Sequence, residues 1–337
     1  MRLIVLALAT MIFVAFGAAA RAQEAVIRIV DVGQGLCVVA TFPGANDLLY
    51  DAGHWQSSQC RAAVNELVTD QRIEMVVISH SDADHLGELP EILEDVSAGL
   101  ILWTGFEMNS SAWREARDAI AQEVTDGASV INLGSYSIPP GEQIELGDAS
   151  VTFVTGWHEW DNSNSDPGEL PDESERRNAI SIVMRIEYGG QSVLLTGDTI
   201  GRRRGDADDA CRDAERLMVE NAADIPIESD VLVAPHHGGD NGGSTCFINA
   251  VSPNFVIYSA GNSSHDHPRT SAVERVLATG VTSQNIFRTD RGDNDGPDEW
   301  PVGRDGTCGD SRGDDDIQIV LGGDDPEITY LEPSSGC

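Results

Sequence analysis

The chain has 337 residues, 41% of them hydrophobic, enough for one large folded domain or two ordinary ones. Aspartate and glutamate outnumber lysine and arginine 56 to 21, a formal net charge of −35. That balance argues against a broad face for polymeric nucleic acid, since neutralising phosphates takes clustered cations, and it reads instead as a surface adapted for solubility or high salt.

The chain opens with a basic start at Arg2, an apolar centre over residues 3–16 and the ending Ala20-Arg21-Ala22, the pattern of a secretory signal over 1–22 cleaved before Gln23. The apolar centre is short for a span of about 20 residues, and no later stretch is suited to crossing a membrane. A soluble mature chain, secreted or periplasmic, is therefore expected. All six cysteines follow the signal, and an even count in an exported chain favours disulfides. Pairing neighbours along the chain gives Cys37 with Cys60, Cys211 with Cys246 and Cys308 with Cys337.

Residues 26–30 and 47–53 read as strands, with a hairpin permitted by Gly33 and Gly35 between them. Cys60, Ala63, Val64, Leu67 and Val68 mark one apolar face of a helix over 58–70. The run Met75-Val76-Val77-Ile78-Ser79 reads as a buried strand and stops at His80-Ser81-Asp82-Ala83-Asp84-His85. Two imidazoles and two carboxylates so close together make a poor core and a good metal site. His80 and Asp82 can point the same way in an extended loop, whereas the adjacent Asp84 and His85 diverge, so one pair per metal is the natural geometry. Nitrogen and oxygen donors suit zinc, manganese or iron better than copper(I) or an iron–sulfur cluster.

Pro90 suits the first turn of a helix through Val96, 100–103 reads as a strand, and 111–124 as a helix presenting Trp113, Ala116, Ile120 and Val124. Short strands follow at 129–133, 143–146 and 150–155. Residues 157–177 have no apolar period and read as an exposed loop, with His158 near its start able to overhang the site. A hairpin of 180–188 and 192–195 turns at Gly189-Gly190 and ends in Thr196-Gly197-Asp198-Thr199. A helix is expected over 207–221, with Asp206, Asp208 and Asp209 at its positive end. A strand at 231–234 delivers Pro235-His236-His237-Gly238, and one at 255–258 enters the loop holding His265 and His267-Pro268, before a helix over 269–279. The Asp- and Gly-rich tail over 288–316 contains Asp293-Asn294-Asp295-Gly296, but Arg291 would fall at the first ligand position of a calcium loop. Residues 317–321 and 327–331 close the chain as a hairpin. Strands alternating with helices indicate an α/β fold.

The run H-x-D-x-D-H at 80–85 resembles the H-x-H-x-D-H signature of the metallo-β-lactamase superfamily, with Asp82 where most members carry histidine. Asp31-Val32-Gly33-Gln34-Gly35, Asn178-Ala179-Ile180-Ser181, Leu195-Thr196-Gly197-Asp198, Pro235-His236-His237-Gly238 and His267-Pro268 resemble, in order, motifs of its branch found in ComEC-type DNA-uptake proteins. The resemblance implies one four-layer αββα sandwich over residues 23–337 with a dinuclear centre at an edge, zinc being preferred over manganese. It implies that His80 and Asp82 hold one ion, Asp84 and His85 the other, and that Asp198 bridges them. One of His236 and His237 would complete the second ion's shell while the other contacts substrate, and His158 or the Asn178 neighbourhood would supply the first ion's missing ligand. Asp84, His236 and His267 are the residues assigned to catalysis, His267 by donating a proton or stabilising charge. The expected activity is hydrolysis of a phosphodiester, most simply a small molecule, by a metal-activated water. A β-lactam or lactone hydrolase and a non-catalytic metal-binding module are the alternatives.

Overall fold

The N-terminal half builds one sheet by adding strands that are apolar on both faces. In the computed structural model, which describes residues 23–156, 173–203, 205–261, 264–291, 296–302 and 315–331, β1 (Ala25–Ile29), β2 (Cys37–Phe42) and β3 (Asn46–Ala52) form an antiparallel meander. After α1 (Gln59–Leu67), β4 (Arg72–Ile78) joins β3 in parallel. The single turn α2 (Ala83–Leu86) and α3 (Leu89–Asp95) then return the chain to β5 (Ser97–Trp103), and α4 (Ser111–Asp126) returns it to β6 (Ser129–Asn132). Ser110 caps α4 by accepting from the Trp113 amide, and Gly127 ends it in a left-handed conformation.

The C-terminal half builds the second sheet the same way. β7 (Gln143–Leu146), β8 (Ala149–Thr155), α5 (Glu173–Ala179), β9 (Val183–Tyr188) and β10 (Gln191–Leu195) are followed by α6 (Asp213–Asn221), β11 (Val231–Val233), α7 (Thr245–Val251), β12 (Phe255–Tyr258), α8 (Thr270–Ala278) and β13 (Ile286–Arg288). β10 to β13 are mutually parallel, and the closing hairpin β14 (Ile317–Leu321) and β15 (Glu327–Tyr330) returns to the first sheet beside β1.

Side-chain alternation stacks these sheets. Met75 and Val77 of β4 face inward against Phe153, Met184 and Val193, whereas Val76 and Ile78 face outward onto Val64, Ile92 and Trp113 of the helices. In the second sheet Val231 and Val233 point inward, while Leu232 packs outward with Met218, Phe247 and Val273. Three apolar layers between four structural ones make an αββα sandwich. Among the described residues no helix is long and apolar enough to cross a membrane.

Four sequence expectations shift. The helix expected over 207–221 starts at Asp213, because Asp206 turns back to hold Arg212 at 2.8 Å and the Arg203 amide at 2.8 Å instead of capping. The end of the segment expected as loop over 157–177 is helical in α5. The short elements α7 and β13 are additions, each too brief to show a period of its own. Val124, expected on the core face of α4, is 50% exposed. Cys37–Cys60 and Cys211–Cys246 are disulfides, while Cys308 and Cys337, the signal and His158 lie outside the described residues.

The Cys37–Cys60 bridge ties β2 to α1 in the first half of the sandwich, and both cysteines are fully buried. Replacing both with alanine should destabilise the protein by about 2–4 kcal/mol in urea melts, through the freed unfolded chain and the lost packing. An unchanged midpoint would contradict that role.

Candidate metal centre

Histidines and carboxylates converge here because they leave the carboxyl ends of four strands. His80, Asp82, Asp84 and His85 follow β4, Asp198 follows β10, His236 and His237 follow β11, and His267 lies in the loop after β12. The turn delivering Asp198 passes so close to β4 that a Cβ on Gly197, at φ +52°, would lie 2.8 Å from the Ser79 Cβ. A Cβ on Gly35 would likewise lie 2.3 Å from the Asp84 carbonyl oxygen, so glycine at both points lets the loops meet.

Asp198 occupies the middle. Its Oδ1 is 3.2 Å from Nε2 of both His85 and His237, whose Nε2 atoms are 3.1 Å apart, and Asp84 Oδ2 is 3.9 Å from His237 Nε2. Its Oδ2 is 3.8 Å from Nε2 of both His80 and His236, and Asp82 Oδ2 is 3.8 Å from His80 Nε2. Donors about 2.1 Å from a tetrahedral ion stand roughly 3.4 Å from one another, and the ligand atoms of Asp84, His85 and His237, and those of His80, His85 and Asp198, lie within 4.8 Å of one another, close enough for a small cation. The pair left open by the sequence is thereby divided. Left-handed conformations at His236 (φ 50°) and His237 (φ 56°) splay the rings, sending His237 to the group of Asp84 and His85 and His236 to that of His80.

Partners behind the rings fix which nitrogen is bare. His237 Nδ1 is 2.8 Å from the Ser259 carbonyl, which can only accept, so that nitrogen donates and Nε2 faces inward without a proton when the ring is neutral. His85 Nδ1 is held 2.7 Å from Asp51 Oδ2 in the same sense. Asp51, fully buried, also accepts from the Ser79 amide and hydroxyl at 2.7 Å each. His236 Nδ1 sits 2.7 Å from Asn241 Oδ1, and its Nε2 is 3.3 Å from Asn178 Nδ2. Sequence reasoning places Asn178 near the first ion but gives Asp51, Ser259 and Asn241 no role. For Asp51 a signal exists, an acid ending the apolar strand Leu48-Leu49-Tyr50 beside the metal loop.

The electrostatics ask for a cation. Burial alone would lower His85 and His237, but Asp198, joined at His85 by Asp51, overrides it and holds both above the usual histidine range. Burial likewise opposes ionisation of Asp198, yet His237, His85 and His236 keep it well below the usual carboxylate range. Burial, helped by His85, pushes His80 down, and His80 Nε2 and Asp198 Oδ1 are buried without a hydrogen-bond partner. Imidazole nitrogens that can shed those protons, facing carboxylate oxygens, suit divalent ions at this cluster. His267, its ring 5.7 Å from His236 and 6.2 Å from His237, is pushed well below the usual range by burial and by those two rings. His54 takes no part in either group.

Residues 46–239 match the family model described as beta-lactamase superfamily domain, a span reaching from β3 through both histidine loops. The chain belongs to the metallo-β-lactamase superfamily. It resembles the ComEC branch, being 26% identical over 274 residues to "Competence protein ComA" of Neisseria gonorrhoeae, covering 80% of this chain and 31% of that one. A "UPF0173 metal-dependent hydrolase" of Anaeromyxobacter dehalogenans is 29% identical over 161 residues, covering 48% of this chain and 52% of that one. This chain thus spans a third to a half of the length of these relatives. Among solved structures, the metallo-beta-lactamase fold protein YhfI from Bacillus subtilis has a TM-score of 0.44 at 14% identity, covering 79% of this chain and 96% of that one.

Because His85 and His237 hold their protons more tightly than free histidine, an incoming ion must displace them at neutral pH. The affinity for Zn²⁺ should therefore keep rising with pH above the usual histidine range, with proton release seen calorimetrically in buffers of different ionisation enthalpy. A pH-independent affinity without proton release would contradict this arrangement.

Proposed function

We propose that this superfamily member is an exported, dinuclear metal-dependent phosphodiesterase acting on a small anionic substrate. The observation that carries the reading is the Asp198 carboxylate, each oxygen of which faces a separate histidine group. His80, Asp82 and His236 would hold one ion, Asp84, His85 and His237 the other, with Asp198 between them. When bound, a pair of divalent ions lowers the pKa of a water toward neutrality and holds the charge of an in-line displacement.

The chain's own groups supply the rest. A cavity of about 740 Å³ touches the centre at His267 and Asn241 and is lined by Arg202, Arg203 and Arg269 together with the carboxylates of Glu175, Asp240, Glu274 and Asp298. That volume suits a small molecule. Of its three guanidinium groups, those of Arg203 and Arg269, each already leaning on an aspartate, would receive a small anion without a long cationic track. Of the two roles expected for His267, donating a proton or stabilising charge, the lowered basicity of its ring favours the second, as a neutral hydrogen-bond donor to a phosphoryl oxygen. The two disulfides and the signal-like start support export. The likeness to the Neisseria competence protein favours polymeric DNA as a second reading, against which stands the net charge of −35.

Metal-stripped protein should be inert toward bis(p-nitrophenyl) phosphate and regain turnover with Zn²⁺ or Mn²⁺, and His267→Ala should lower kcat about a hundredfold. Single-stranded DNA should be a poor substrate. Rapid opening of a chromogenic cephalosporin with no phosphodiester turnover would contradict the proposal.

A further inference from the structure

The two groups around Asp198 are not equivalent. In the group of His85 and His237 three donor pairs stand at 3.1–3.2 Å, and Asp84 completes the group with its Oδ2 near Gln34 Nε2, at 3.3 Å. In the group of His80 and His236 each ring's Nε2 stands 3.8 Å from Asp198 Oδ2 and Asp82 Oδ2 stands 3.8 Å from His80 Nε2, while the other oxygen of the carboxylate proper to it is taken: the Arg177 guanidinium donates from Nε to Asp82 Oδ1 in an ion pair.

Arg177 is not there by accident of a loose side chain. It lies in the last turn of α5, its side chain only 9% exposed, and the segment after it is stitched down by the Ile182 amide donating to the Ser79 carbonyl at 3.0 Å. Ser79 directly precedes His80, so the backbone that aims the first histidine also fixes where the guanidinium can reach. Both groups share the carboxylate of Asp198, but the second adds the charge of Asp84, whereas the first adds an Asp82 already neutralised by Arg177. An ion entering beside His80 must therefore compete with a fixed cation for its own carboxylate.

We propose that Arg177 withholds Asp82 from the first metal position, so that the centre fills in order, beside Asp84, His85 and His237 first, and Arg177 sets the gap in affinity between the two positions. The proposal rests on the metal-centre reading but on no assumption about substrate. A guanidinium in contact with a carboxylate weakens that carboxylate's hold on another cation by about tenfold or more. Arginine suits this role, since its fork grips a carboxylate and its charge is permanent.

Zn²⁺ titration of the metal-stripped full chain, followed by calorimetry and by metal content after dialysis, tests it without any activity assay. The unaltered protein should bind in two classes separated by at least about tenfold. Arg177→Gln should tighten the weak class by about tenfold while leaving the tight class unchanged, Arg177→Lys should keep the weak class weak, and in an Asp82→Asn background Arg177→Gln should have no effect. Two equal classes in the unaltered protein would overturn the proposal with no variant needed, and leave the metal centre standing. So would a weak class that Arg177→Gln leaves unchanged, or loosens, which would make Arg177 an orienting partner of Asp82. A protein that takes up no Zn²⁺ in any form would remove the metal centre and this inference together.

Discussion

A buried carboxylate with a histidine group on either oxygen is the constraint on which the rest of the centre depends. Asp198 is 5% exposed, and a charge so placed is costly unless compensated. The compensation comes from rings whose far nitrogens are tied to Asp51, Ser259 and Asn241, so that their near nitrogens all turn toward the carboxylate. Those ties in turn need the strands to end at the same height. Tyr50 helps secure this, its hydroxyl bridging the sheets to the Ile182 carbonyl at 2.5 Å just below the site.

The sandwich was legible because its strands are short, apolar and bounded by turn residues, and because β4, β10, β11 and β12 each run straight into a chemically conspicuous loop. The loop members His80, Asp82, Asp84, His85, Asp198, His236, His237 and His267 could thus be gathered from the sequence, and the structure brings them within one site. Their division was harder to foresee. Which of His236 and His237 faces which group depends on two successive left-handed residues, a backbone choice that histidine does not advertise. Asp51 and Arg177 are harder to read because each acts on a residue far along the chain: Asp51 leaves only the hint of an acid ending an apolar strand, and nothing in the local pattern distinguishes Arg177 from a surface base. α6 starts later than its aspartates suggest because Asp206, which reads as a helix-opening residue, accepts instead from the Arg203 amide and the Arg212 guanidinium.

Charge runs through the whole molecule in the same way. All 21 basic residues are arginine and none is lysine, in a chain with 56 acidic ones. Among the described residues many arginines sit in carboxylate pairs, Arg61 with Asp95 at 2.6 Å, Arg275 with Asp240 at 3.2 Å, and a buried Arg288 between Asp290 and Glu299. Arg177 on Asp82 is that same habit carried into the metal centre.

The claim that Asp198 joins two metal positions can be tested on one substitution. Asn in its place keeps the shape and removes the charge that offsets repulsion between two dications. Metal content of the Asp198→Asn protein after equilibration with Zn²⁺, read by mass spectrometry, should fall from two ions per chain toward one or none. Two ions retained with undiminished affinity would show that Asp198 merely ends its turn after β10, and would contradict the account of the centre.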